Sequence, residues 1–278
     1  MSDHVKDKVI LITGAASGFG RLLAGMAGAR GAHILAADIN LEGAQETAGA
    51  VSEAGGSAKA VACDVTQLEA VQAAVDAAVS EWGRVDVLVN NAGTMPLAFI
   101  ADHAAAYAAW SQCIDVNIKG VLHGMIAAHD AMMRQEQGQI INLSSIYGNF
   151  PVVGAAVYGA SKAAVDFLSA SMRMETQGKI KITTVKPTGV PGTNLAGGVV
   201  NPEAVVGILG HNVASYGQTM EAYAAGQLPA ASSDSDSVQY VVLEPDHLAR
   251  QILYVIDQPW GVNISDITVR ASGDAYIL

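Results

Sequence analysis

The chain has 278 residues, 51% apolar and 15% charged, with a net charge of −11 at pH 7. That composition supports one sizeable core and excludes a disordered chain, and an acidic balance without any basic patch excludes a nucleic-acid footprint. Two cysteines, Cys63 and Cys113, are too few for a disulfide framework and lack metal-ligand spacing.

In chain order, residues 1–8 are polar, and the apolar run 9–12 is too short for a signal segment. No run approaches the roughly 18 apolar residues of a membrane span, so a soluble cytoplasmic protein is expected. Residues 9–13 read as a buried strand and 19–30 as a helix. Strands at 33–38 and 58–64 alternate with helices at 41–54 and 68–82. Further strands are expected at 87–92, 139–145, 180–186 and 264–270. Helices near 104–134, 155–177 and 245–257 separate them. Strands apolar along their whole length, divided by helices, imply a parallel sheet covered on both faces. Such a sheet binds ligands at the carboxyl ends of its strands.

From 188 to about 240 the chain is rich in Gly, Ala, Ser and Pro and includes the flexible-looking acidic run 232–237. A loop of that length in a compact domain points to a lid or binding element, with partner contact or plain insertion as alternatives. Helical spacing at 203–209 and 214–225 predicts that it is partly helical. The expected organisation is one domain over 1–278, with 188–240 as a substrate lid.

The run Thr13-Gly14-Ala15-Ala16-Ser17-Gly18-Phe19-Gly20 follows the first strand and opens a helix. Glycines there permit a tight turn and close backbone approach, and a helix N-terminus favours a pyrophosphate. Asp38 ends the second strand, where a carboxylate can accept hydrogen bonds from ribose hydroxyls and repel a 2′-phosphate. A strand-end or capping role for Asp38 fits the same position. Tyr158 and Lys162 stand four apart, on one face of a helix. There the lysine charge favours ionisation of the phenol. A Tyr-x3-Lys pair alone arises by chance about one time in four in such a chain. Ser145 lies upstream at the end of an apolar run.

Six features occur together and in order: the glycine turn, Cys63-Asp64-Val65, Asn90-Asn91-Ala92-Gly93, Asn117 within Asp115-Val116-Asn117, Ser144-Ser145, and Tyr158-x3-Lys162. On these residues the chain resembles the short-chain dehydrogenase/reductase family, in its branch with a Thr-Gly-x3-Gly-x-Gly turn. The resemblance implies a Rossmann-type, doubly wound parallel sheet flanked by helices, and an NAD-dependent oxidoreductase interconverting secondary alcohol and ketone. It implies a catalytic set of Asn117, Ser145, Tyr158 and Lys162. Cofactor contacts are implied first at Thr13, Gly14, Ser17, Gly18, Phe19 and Gly20. They continue at Asp38, Ile39, Asp64 and Val65, then at Asn91, Ala92 and Gly93, and again at Tyr158 and Lys162. Pro187, Val190 and Thr193 complete the cofactor side. Met95, Ser145, Tyr147, Val153, Thr188 and Leu195 would face substrate.

In that mechanism Tyr158 exchanges the hydroxyl proton, Ser145 holds the same oxygen, Lys162 lowers the Tyr158 pKa, and Asn117 holds a water that connects Lys162 to solvent. Asp38 selects NAD over NADP. An NADPH-dependent carbonyl reductase and a non-catalytic NAD(H)-sensing protein are the alternatives, disfavoured by Asp38 and by the complete catalytic set respectively.

The chain departs from the family at Lys186-Pro187-Thr188-Gly189-Val190-Pro191-Gly192-Thr193, where the glycine is displaced and Thr193 falls one position late. The family's C-terminal Asp-Gly-Gly signature is also missing from the run 268–276. The helix carrying Tyr158 is apolar nearly all round, which predicts a buried second face and a homodimer or homotetramer. The expected pocket is largely apolar and lacks a fixed Arg or Lys, so a neutral, hydrophobic, cyclic or aryl alcohol or ketone is expected. The seven histidines show no metal-ligand spacing, and no metal is expected.

Overall fold

A computed structural model describes residues 3–277. Seven strands form one sheet in the order β3-β2-β1-β4-β5-β6-β7, every neighbouring pair parallel. They are β1 (Val9–Thr13), β2 (His33–Asp38), β3 (Ser57–Ala62), β4 (Val87–Asn90), β5 (Gly138–Leu143), β6 (Ile180–Pro187) and β7 (Asp266–Val269).

Strand β1 is buried at all five positions because its alternate side chains feed two different cores. Ile10 and Ile12 face Leu23, Ala24, Leu248 and Ile252, from helices α1 (Gly18–Ala29) and α10 (Pro245–Ile256). Val9 and Leu11 face Val71, Val75, Ala128 and Met132, from α3 (Leu68–Trp82) and α5 (Gly120–Arg134). Helix α2 (Leu41–Glu53) joins the first layer through Ala44 and Val51. The strand order reverses between β1 and β4, which opens a crevice at their carboxyl ends.

Several boundaries differ from the sequence expectation at that rim. Strand β3 stops at Ala62 and β4 at Asn90, so Cys63, Asp64 and residues 91–93 leave the sheet as rim loops. The Asp64 carboxylate turns its loop by accepting bonds from the Thr66 backbone N–H (2.9 Å) and hydroxyl (2.8 Å). The single helix expected near 104–134 is three pieces: α4 (His103–Cys113), a π-helical turn (Ile114–Lys119) and α5. A π-turn inside a helix marks an inserted constraint, and here Asn117 carries it. Strand β7 is shorter than expected and lies at the sheet edge.

The segment after β6 is partly helical, as its spacing predicts, with α7 (Val206–Leu209), α8 (Val213–Ala224) and the short α9 (Ala230–Ser233). The acidic run at its end is folded into turns, Ser237 N–H donating to Asp234 O (3.0 Å). Ala204, Ile208 and Leu209 pack against Leu97, Tyr147 and Tyr158, which sets this segment over the sheet's carboxyl end. Helix α6 (Ala156–Glu175) carries Tyr158. No described helix is long and apolar enough to cross a membrane.

Helix α5 approaches β4 closely at Gly124, where an added Cβ would lie 2.1 Å from the Asn90 side-chain oxygen. Asn90 donates to Asn142 (2.8 Å), and Asn142 donates to Ser169 (2.9 Å), so β4, β5 and α6 share one buried polar chain. Gly124→Ala therefore overpacks the helix–sheet seam and is expected to cost about 1–3 kcal/mol, roughly 5 °C in Tm. An unshifted thermal melt would contradict the seam as described.

Candidate active site

A cavity of about 1070 Å³ runs along the carboxyl ends of the strands, from the glycine turn and Asp38 at one end to Tyr216 and Tyr276 at the other. Gly14 and Gly18 both adopt positive φ (+66° and +52°), which glycine accepts without the Cβ clash. Asn91 clamps the turn, its amide donating to Thr13 O (2.9 Å) and Gly14 O (3.0 Å). The Thr13 hydroxyl in turn accepts the Asn91 and Ala92 N–H groups (3.1 and 3.2 Å). Gly14, Ser17, Gly18 and Phe19 line the cavity, whereas Thr13 and Gly20 do not. Those two shape the turn from behind: a Cβ at Gly20 would lie 2.4 Å from Gly14 O. Ser17 precedes α1 without making a side-chain cap, so its hydroxyl is available to a ligand at the helix N-terminus.

Asp38 is held against the turn. One carboxylate oxygen accepts the Ala16 N–H (2.9 Å) and the other the Asn40 N–H (2.8 Å). Beside it Ile39 is 73% exposed, an apolar platform at the cavity wall. Asp64, Val65, Asn91, Ala92 and Gly93 line the facing wall. Sequence reading passed over Arg21, which follows Gly20 directly. Its guanidinium donates to Gly43 O (3.2 Å) and Glu46 (2.9 Å) and also to Ala16 O (2.5 Å).

Further along, α6 presents Tyr158 and Lys162 to the cavity, and β5 ends beside them at Ser144 and Ser145. Ser144 ties strand to helix by donating to Lys162 O (3.1 Å). The Lys162 ammonium donates to Leu143 O (2.7 Å) and lies 5.8 Å from the centre of the Tyr158 ring. The Ser145 hydroxyl accepts the Tyr147 N–H (3.3 Å) and lines the cavity alongside Tyr158.

The expected direction of the Tyr158 pKa does not hold in the protein alone. Burial pushes the phenol above its usual range, and the influence of the Ser145 hydroxyl offsets only part of that. Burial likewise pulls Lys162 down, to about 8, while its ammonium donates to the Leu143 carbonyl.

Asn117 is fully buried behind the cavity wall. Its amide donates to Thr94 O (2.9 Å) and to the Ser161 hydroxyl (3.0 Å), and its carbonyl accepts Thr94 N–H (2.9 Å). The Ser161 hydroxyl donates to Tyr158 O (2.7 Å). The Asn117 side chain is thus a brace between the 91–95 loop and the turn of α6 that bears Tyr158.

Met95, Tyr147, Thr188 and Leu195 line the cavity as expected, as do Pro187 and Val190. Val153 does not: it is 66% exposed, because the 152–154 backbone is the surface on which Gly207 rests, and Gly154 (φ +79°) turns the chain away. Thr193 lies over the glycine turn, its Cβ 3.8 Å from where a Gly18 Cβ would stand. Sequence reading missed Ile208, Leu209, Tyr216, Met220 and Tyr276, which close the far end together with Leu97. The first four carry only an ordinary amphipathic signal, and Tyr276 lies beyond the last strand with none. Among the described residues no group of three His, Cys, Asp or Glu side chains is arranged to hold a metal.

A family model described as short chain dehydrogenase matches residues 8–203. An uncharacterized oxidoreductase of Staphylococcus saprophyticus is 31% identical over 273 residues, covering 98% of this chain and 99% of that protein. Another, from Listeria innocua, is 32% identical over 268 residues, covering 95% and 96% respectively. Among solved structures, a 7α-hydroxysteroid dehydrogenase complexed with NADH and 7-oxo glycochenodeoxycholic acid superimposes with a TM-score of 0.79. It is 23% identical, over 99% of this chain and 98% of that one. A closed serine dehydrogenase complexed with NADP+ gives 0.74 at 28% identity, over 94% of each chain.

Proposed function

The chain belongs to the short-chain dehydrogenase family, and from that premise we propose that it is a cytoplasmic NAD-dependent oxidoreductase. It interconverts a neutral, hydrophobic secondary alcohol, cyclic or aryl-substituted, with its ketone. The observation that carries this reading is one continuous cavity holding the glycine turn and Asp38 at one end and Ser145, Tyr158 and Lys162 further along.

The residues present fit a dinucleotide. The glycine turn leaves the start of α1 facing the cavity, Ser17 keeps an uncommitted hydroxyl there, and Asp38 stands at the end of β2. Thr193, which lies over Gly18, would help hold the cofactor at the glycine turn. A nicotinamide cofactor held there would supply the acceptor or donor of the carbinol hydride.

In the oxidation direction Tyr158 takes the hydroxyl proton, and Ser145 hydrogen-bonds the same oxygen and fixes it for transfer. In reduction Tyr158 gives that proton back to the forming alkoxide. Lys162 at about 8 keeps most of its charge at neutral pH, and with the oxidised nicotinamide ring it offsets the burial that holds the phenol neutral. Asn117, through Ser161 and Thr94, keeps Tyr158 and the 91–95 loop in register. A panel of cyclic and aryl secondary alcohols with NAD, followed by NADH absorbance, tests the reading; no turnover of any member would overturn it.

The enzyme is further proposed to be a homo-oligomer. Ala156, Ala160, Ala163, Phe167, Ala170 and Met174 form an exposed stripe along α6 without a charge, and Phe167 is 77% exposed. Leu122 and Ile126 of α5, the neighbouring helix, are also exposed. A second copy related by a two-fold axis covers that face with itself. Light scattering at micromolar concentration is expected to give a dimer or tetramer, and Phe167→Asp to dissociate it; a wild-type monomer would refute the assignment.

A further inference from the structure

The end of the cavity remote from the glycine turn is closed by the C-terminal tail, which is tied down at several points. Arg270 pairs with Asp274 (2.6 Å) and donates to Tyr276 O (3.1 Å). Asn212 donates to Ala275 O (2.8 Å), and Ile277 N–H donates to Ile208 O (3.1 Å). These bonds fasten the tail to the segment that covers the site and swing the Tyr276 ring into the cavity wall.

The Tyr276 hydroxyl occupies the space beside Gly189 where a side chain would begin: an added Cβ would lie 1.5 Å from it. The displaced glycine after Pro187, unexplained by the sequence pattern, thus makes room for this phenol. Tyr276 and Tyr216 pack with ring centres 5.8 Å apart, and their hydroxyls are hydrogen-bonded at 3.3 Å. Two phenols sharing one bond keep one O–H and several lone pairs uncommitted. Next to Gly189 the Thr188 hydroxyl is buried and has no hydrogen-bond partner. A buried hydroxyl left without a partner on a cavity wall points to a ligand atom that completes it.

Around these hydroxyls the wall is apolar, formed by Leu97, Leu195, Ile208 and Leu209. Among the described residues lining the cavity, Lys162 alone is basic, and it belongs to the reacting end. The far end therefore suits an uncharged oxygen rather than a carboxylate or phosphate. Burial holds the Tyr276 phenol above its usual pKa, so it stays a neutral donor through the physiological range.

We propose that the Tyr216–Tyr276 phenol pair, seated on Gly189, binds a second, uncharged oxygen of the substrate, so that the preferred substrate is an oxygenated ketone or alcohol rather than a hydrocarbon one. This rests on the dehydrogenase reading of the same cavity. A site built around hydrogen bonds discriminates against an analogue lacking the group, because its own polar atoms are then left unpaired.

The test compares cyclohexanone with hydroxycyclohexanones bearing the hydroxyl at each ring position, read as a ratio of kcat/KM values. In the wild-type enzyme at least one hydroxy ketone is expected to be preferred by about tenfold or more. Tyr216→Phe and Tyr276→Phe should bring that ratio near one, and so should Gly189→Ala, which displaces the Tyr276 hydroxyl without removing it. Each variant is checked for NADH binding and thermal unfolding first. A flat wild-type ratio, or a ratio unchanged by all three variants, would overturn the proposal. The same ratio is measured as dissociation constants, by titrating the fluorescence of NADH bound to Tyr158→Phe protein with and without Tyr216→Phe. If nothing in the panel turns over but the binding ratio behaves as expected, the reaction assignment fails and the oxygen site stands. If turnover occurs without discrimination, the oxygen site fails and the reaction assignment stands.

Discussion

Tyr158→Phe is expected to lower kcat by about a thousandfold or more in both directions while leaving the dissociation constant for NADH within about twofold. The substitution deletes one oxygen from a ring that is 3% exposed and packed edge-on against Tyr147 at 5.3 Å. The packing that holds the ring is retained, so the loss falls on proton transfer rather than on folding. Its pH dependence follows from the sign of the shifts. Burial raises the phenol, so the protonated form that reduction needs is present through neutral pH. Oxidation needs the phenolate, so its kcat/KM should climb with pH from about 6 to 9 while reduction stays level and then falls. Lys162, held near 8 by burial, titrates within that range. Steady-state rates in both directions decide the matter. A Tyr158→Phe enzyme with more than a tenth of wild-type kcat, or a wild-type oxidation rate flat over that range, would remove Tyr158 from the proton-transfer role.

What could be read in the sequence divides along a physical line. Strands β1 and β2 fall where expected, because a strand buried on both faces carries an unbroken apolar run, 9–12 in β1 and 34–37 in β2, and needs no partner to be recognised. The break in the helix near 104–134 could not be read, since the π-turn depends on Asn117 bonding Thr94 and Ser161, which lie 23 and 44 residues away. Val153 follows a motif and is apolar, yet the direction of its side chain is set by the turn at Gly154 and by α7 resting on its backbone. Spacing placed a charge near Tyr158 correctly but could not weigh it against burial, which is a property of the packed whole. The site's far end was least legible: Tyr276 and Gly189 are joined only by the return of the tail, and each alone looks like an ordinary loop residue.

The second large effect is expected in cofactor choice. Wild-type enzyme should favour NAD over NADP by about a hundredfold or more in kcat/KM, because in the proposed cofactor site the Asp38 carboxylate at the end of β2 would face a 2′-phosphate. Setting like charges side by side costs several kcal/mol, and about 3 kcal/mol corresponds to roughly a hundredfold. The carboxylate cannot swing aside cheaply, since its two oxygens accept the Ala16 and Asn40 N–H groups at 2.9 and 2.8 Å. Arg21 does not compensate in the native protein, being tied to Ala16 O, Gly43 O and Glu46. Asp38→Asn removes the charge and keeps an oxygen for the Ala16 N–H, so the turn should persist. The preference is then expected to shrink to about tenfold or less, mainly through a lower KM for NADP, and Glu46→Gln on top of it frees Arg21 to favour the phosphate further. Two outcomes would sink the assignment: a wild-type enzyme that uses NADP as well as NAD, or an Asp38→Asn enzyme whose preference is unchanged. In the first case the carboxylate is only the strand-end cap that its two backbone bonds also describe; in the second, discrimination arises elsewhere, and Ile39 and the Asp64 loop become the residues to vary.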